Sequence, residues 1–227
     1  MQVWVRPEVN KERKGKYKQL PIEEKESNKW LRAAAESKQH LAAAQMITVI
    51  GDRESDVYEE FARVPDERTH LLIRSCQNRR LADGGSLYER LAEQSVAGEY
   101  ELEIEADARV GRERRRAQIE VRYVEVEIAA PAGSEAGEKP SVKMWAIEAR
   151  ERNAALGVEP IVWRLLTTHR IETIADAKRM IKYYRYRWWI EQLFRVLKKQ
   201  GLDIESSEAR ANRKYQETER FGIRSSH

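Results

Sequence analysis

A single cysteine, Cys76, is the whole thiol inventory of these 227 residues. That excludes a disulfide framework within the chain and fits a reducing cytoplasm. No stretch approaches the roughly 18 to 20 apolar residues that a membrane helix needs. The opening residues, MQVWVRPEVNKERKGK, lack the apolar run of a signal peptide. A large excess of one charge is also lacking: 42 Lys and Arg face 38 Asp and Glu, a formal net charge of +4. Such a balance describes a well-solvated surface and does not by itself call for nucleic acid; what counts is whether the cations cluster. Finally, no aspartate occurs before Asp52.

What is present is enough for a real core. Of the residues, 41% are hydrophobic and 35% charged, a length and composition suited to one large domain or two small ones. Gln2 to Val5 read as a strand with no turn before it, so sequence upstream is expected; residues 11–18 read as a basic loop. A helix is predicted over 26–44, with Trp30, Leu31, Ala34 and Leu41 apolar and Ser27 as its cap. MITVI, at 46–50, is a compact apolar run ending at Gly51-Asp52, the pattern of a buried parallel strand. A helix over 55–63 follows, carrying a solvent-facing Asp56, and HLLIR at 70–74 is a second strand. Strand, helix, strand in this order predicts an α/β unit with a parallel pair.

The character then changes. YELEIEA (100–106) and QIEVRYVEVEI (118–128) alternate apolar and charged residues, the period of half-exposed antiparallel strands. RVGRERRR (109–116) joins them as a basic turn, 130–140 is a loop, and 142–148 and 161–167 are further strands. A long helix over 174–200 stops at Gly201, and 206–227 is polar, arginine-rich and expected to be poorly ordered.

Within the long helix, Tyr184, Arg187, Glu191 and Lys198 are separated by three, four and seven residues. At about 3.6 residues per turn they share one face. A lone acid among cations and a phenol suits a phosphodiester with a divalent cation. The same spacing also describes a solvated amphipathic helix with ordinary ion pairs. Asp52, at a strand end where open α/β sheets place functional groups, reads equally as a cap of the following turn.

The spacing Y-x2-R-x3-E-x6-K resembles the signature of DDE transposases of the insertion-sequence-four family. DRESDVY (52–58) resembles the block that carries the family's second aspartate, EKESNKWL (24–31) the block upstream of it, and QVWVRP (2–7) the strand before that. The resemblance spans residues 2–205. It implies an α/β fold: an RNase H-like core interrupted by an antiparallel β insertion and followed by a long catalytic helix. Residues 1–75 would be partial core, 76–159 the insertion, 160–205 the last core strand and the helix, and 206–227 a disordered tail. It implies Mg²⁺ or Mn²⁺ held by three carboxylates, with Asp52 and Glu191 the second and third. It also implies double-stranded transposon-end DNA as partner, a homodimer in the complete enzyme, and a bacterial cytoplasmic protein that joins the nucleoid when DNA-bound. Tyr184, Arg187 and Lys198 would contact phosphates, with Arg195 one turn after Glu191 beside them. Trp163 would stack on a flipped base, Arg74 would lie near the DNA end, and the arginines of 112–116 would form a solvated turn within reach of DNA.

One departure matters. The family's first catalytic aspartate belongs on a strand upstream of Gln2, and the glutamates before Asp52 belong to other segments. The family's N-terminal DNA-binding region and most of its dimerisation helices are absent as well. The expectation is therefore a truncated transposase, inactive in strand cleavage by itself, or a non-catalytic DNA-binding or regulatory remnant.

Overall fold

The computed structural model describes residues 20–104, 114–134, 139–154 and 157–199. Gln2 to Val5, most of the basic turn, the Gly201 stop and the 206–227 tail lie outside them. The chain separates into two compact units, Met1–Tyr184 and Arg185–His227.

The first unit is built on one six-stranded sheet of order β1-β2-β6-β5-β4-β3. Strands β1 (Ile47–Gly51) and β2 (Thr69–Arg74) pair in parallel, in register from Ile47↔Thr69 to Gly51↔Ile73. All other pairings are antiparallel: β3 (Gly98–Ile104) on β4 (Arg115–Ala129), β4 on β5 (Ser141–Arg152), β5 on β6 (Val162–Thr167), and β6 on β2. The helices are α1 (Asn28–His40), α2 (Tyr58–Arg63), α3 (Leu87–Ala92) and α4 (Ile174–Lys199). α4 begins in the first unit and its later turns belong to the second.

Both faces of the β1–β2 pair are covered, which is why these strands are continuously apolar. On one face Leu71 and Ile73 join Phe61, Leu87, Leu91 and Leu166 in a core with residues of α1, α2 and α3. On the other, Leu72 joins Ile119, Ile147, Leu165, Met180 and Ile181, so the first turns of α4 close that side. In β3 and β4 only alternate residues are buried: Leu102, Ile104, Ala117, Ile119 and Val121 face the second core. Their neighbours of opposite charge pair across strands, as in Arg116–Glu101 and Arg152–Glu99.

Two local expectations are corrected. Ser27 occupies the N-cap position of α1, but its backbone is helical (φ −65°, ψ −15°) and its side chain makes no capping bond. The helix expected over 55–63 is broken. A 3-10 turn, Arg53–Ser55, is followed by extended backbone at Val57, and α2 starts only at Tyr58. The break lies at Asp56, which faces inward and is buried; it is neither on the helix nor solvent-facing. The reason is a set of donors, described below, that engage its carboxylate from the next loop.

Candidate functional site

The C-terminal ends of the parallel strands gather the residues of interest in the first unit. Asp52 follows β1 with its backbone still extended (φ −94°, ψ −161°), and its side chain accepts a hydrogen bond from the Glu54 amide at 3.0 Å. It is thus the N-cap of the 3-10 turn, and it remains half-buried. Gly51 permits the turn. A Cβ there would strike the Ser55 side chain, with Ser55 Cβ at 2.5 Å and Ile73 Cδ1 at 2.8 Å.

Side-chain alternation along the sheet places three of the expected residues on one face. Ile50 and Leu72 belong to the α4 side; Asp52 and Arg74 follow each by two residues. Arg74 pairs with Leu165, also on that side, and Trp163 precedes Leu165 by two. Arg74 is half-buried, and its side chain makes no hydrogen bond or ion pair among the described residues. Trp163 meets Tyr184 of α4 edge-on, centroids 6.2 Å apart at 61°. Tyr184 itself is only 3% exposed, packed into the second core.

The other helix residues belong to the second unit. Arg187 is half-buried on α4. Glu191, Arg195 and Lys198 lie on the same helix, and their side chains are outside the described residues. Of the basic cluster, Arg114, Arg115 and Arg116 are described, and each is engaged by an acid: Glu103, Glu151 and Glu101 respectively. Arg112 and the rest of that turn are outside.

Below the Asp52 turn lies a buried polar network that the sequence did not reveal. The Asp56 carboxylate takes Arg79 Nε at 2.7 Å and Nη2 at 2.6 Å on one oxygen. Its other oxygen takes the amides of Cys76 and Gln77 at 2.8 and 3.1 Å and the Ser75 hydroxyl at 3.3 Å. Ser55 Oγ donates to Glu60 Oε2 at 2.6 Å. Burial pushes the Glu60 carboxyl up to about 7, with the Ser55 bond opposing and the Asp56 charge adding to the rise. The Cys76 thiol is also raised, by burial and then by the Asp56 charge. No short motif signals this network; its only trace in the sequence is the acid at Asp56 and the run of polar residues that closes β2.

A second charged cluster joins β4, β5 and β6. Glu148 is held by Arg164 at 2.8 Å and Arg150 at 3.0 Å, with Arg122 at 3.9 Å. Burial would raise its carboxyl, but the Arg150 and Arg164 hydrogen bonds and charges carry it below the usual range. At the far end of β1, His70 and His169 stack at 4.0 Å, and Thr48 bonds His169 at 2.8 Å. Burial, then His70 and Arg179, press His169 down to about 4.

Among the described residues no group of three or more His, Cys, Asp or Glu could hold a metal ion. Around the turn, Glu54 is engaged by Lys29 at 3.4 Å, Asp56 by Arg79, and the Asp52 side chain accepts the Glu54 amide. The described donors alone do not make a divalent-cation site. No helix among the described residues is long and apolar enough to cross a membrane.

Compared with known families, the sequence matches the transposase DDE domain over residues 19–217. That match takes in β1, the Asp52 turn, the whole sheet and α4, and it implies an RNase H-like fold for this mixed α/β architecture. The chain belongs to the transposase DDE domain family.

Proposed function

We propose that this chain is part of a cut-and-paste transposase of the insertion-sequence-four type, carrying the second and third metal-binding carboxylates as Asp52 and Glu191. Enzymes with this domain act on DNA and generally use divalent metal ions. The observation that carries the reading is the alignment of Asp52, Arg74 and Trp163 on one sheet face at the ends of the parallel strands. A carboxylate, a guanidinium and an aromatic edge there provide a cation ligand, a phosphate contact and a stacking surface. Tyr184 supports Trp163 from behind, so its part is to hold the indole as much as to meet a phosphate. In this reading residues 76–159 form the β insertion, Glu191 of α4 is the third metal-binding carboxylate, and Arg187, Arg195 and Lys198 are phosphate contacts. Mg²⁺ or Mn²⁺, when bound, would supply charge neutralisation at the scissile phosphate and an activated water.

The 227 residues by themselves offer two of the three carboxylates, so they bind DNA without cutting it. The test uses the purified chain, labelled duplex DNA and 5 to 10 mM Mg²⁺ (roughly the range that saturates weak carboxylate sites). Salt-sensitive binding with no nicked product is expected. Mg²⁺-dependent nicking, abolished by Asp52→Ala, would overturn the inactivity; absence of any DNA binding would overturn the interface.

A further inference from the structure

We propose that Asp56 and Arg79 are positioning residues, whose buried ion pair fixes the turn bearing Asp52 relative to the end of β2 bearing Arg74. The inference rests on the reading of Asp52 and Arg74 given above. Asp56 lies in the segment that leaves β1, four residues after Asp52. Each of its partners lies in the segment that leaves β2, within five residues of Arg74. The Asp56 side chain is 0% exposed and that of Arg79 7%. A carboxylate so buried is costly unless its oxygens are satisfied, and here guanidinium, hydroxyl and two backbone amides converge on it.

The segment after β2 also donates to backbone carbonyls of the segment after β1. Arg79 Nη2 also donates to the Asp56 carbonyl at 2.5 Å, Gln77 Nε2 donates to the same carbonyl at 3.3 Å, and Cys76 Sγ reaches the Arg53 carbonyl at 3.3 Å. Arg79 then lies over the Phe61 ring, its Cζ 4.8 Å from the centroid, and so docks on α2. An apolar pair of equal volume would fill the space but would not fix two loops in register. Backbone amides from one loop bound to a carboxylate on the other do fix it. Asp56 and Arg79 are both buried, so they act on Asp52 and Arg74 only through the loops they hold.

The experiment is a double-mutant cycle read by fluorescence anisotropy on duplex DNA at fixed salt, with amide hydrogen exchange on the same proteins. Arg79→Gln removes the charge without removing any acceptor of the Glu54, Cys76 or Gln77 amides. We expect it to weaken DNA binding about tenfold, and to have little effect once Arg74→Ala is present, because it works through Arg74. Exchange should quicken together at Glu54 and at Cys76 and Gln77, while amides within β1 and β2 keep their protection. Arg79→Lys keeps a buried cation and should restore part of the binding, so it serves if Arg79→Gln folds poorly. Additive losses in the cycle, unchanged affinity, or exchange that quickens in one loop alone would overturn the proposal. If the unaltered chain binds no DNA, the functional reading fails. The exchange data then decide the loop coupling alone, and uncoupled loops overturn it.

Discussion

Glu60 is a carboxylate placed where a carboxylate is unwelcome. It lies on α2, 1% exposed, with Ser55 as its hydrogen-bond donor and the Asp56 charge nearby. Its folded pKa, about 7, stands above the ordinary 4.5. Between those values the folded state binds the proton that the unfolded chain releases, so stability falls as pH rises from about 4.5 to about 7 and is level above. The upper bound for this loss is about 3 kcal/mol. Glu60→Gln should flatten the stability profile across that window, as measured by urea unfolding at a series of pH values. A slope unchanged by the substitution would mean that the carboxyl is not the source. Asp52 was legible because it ends a run of apolar residues at a glycine. Asp56 and Glu60 were not, because a two-residue break at Asp56-Val57 changes which way each side chain points, and no periodicity in DRESDVYEE records that break.

At the scale of elements, the turn after β1 depends on a missing side chain. Gly51→Ala would drive a methyl into Ser55 and Ile73. Since Ser55 is 1% exposed and tied to Glu60, it cannot swing away cheaply. Overpacking of this kind costs about 1 to 3 kcal/mol. The expected outcome is a melting temperature lowered accordingly and weaker DNA binding at temperatures where the variant is still folded. A loss of stability with affinity intact would show that the turn does not control Asp52. The strands themselves were readable. Continuous apolar runs marked β1 and β2, whose faces are both covered, and alternation marked β3 and β4; in β4 the buried face switches at Tyr123-Val124, from the second core at Ala117, Ile119 and Val121 to the first at Val126 and Ile128. The helix α3 was missed because it is only Leu87–Ala92, held by two buried leucines too few to show a helical period.

The whole first unit hangs on a strand that arrives late in the sequence. β6 lies between β2 and β5 and, among the described strands, is the one that joins the parallel pair to the antiparallel β3–β5 ladder. Its residues serve both cores, Leu165 on one face and Leu166 on the other, each 1% exposed or less. Thr167 Oγ1 also donates to the Leu71 carbonyl at 2.6 Å. A break over 76–159 in the reading of the sequence therefore marks a change of strand direction, while the hydrogen-bonded sheet continues across it. If so, the two halves cannot melt separately. Leu166→Ala should cost about 2 to 5 kcal/mol, and hydrogen exchange should rise in β2 and β5 together, within a single calorimetric transition. Two resolved transitions, or protection retained in β3–β5 after β2 has lost its own, would instead show an antiparallel ladder stable by itself and merely attached to the Asp52 end of the sheet.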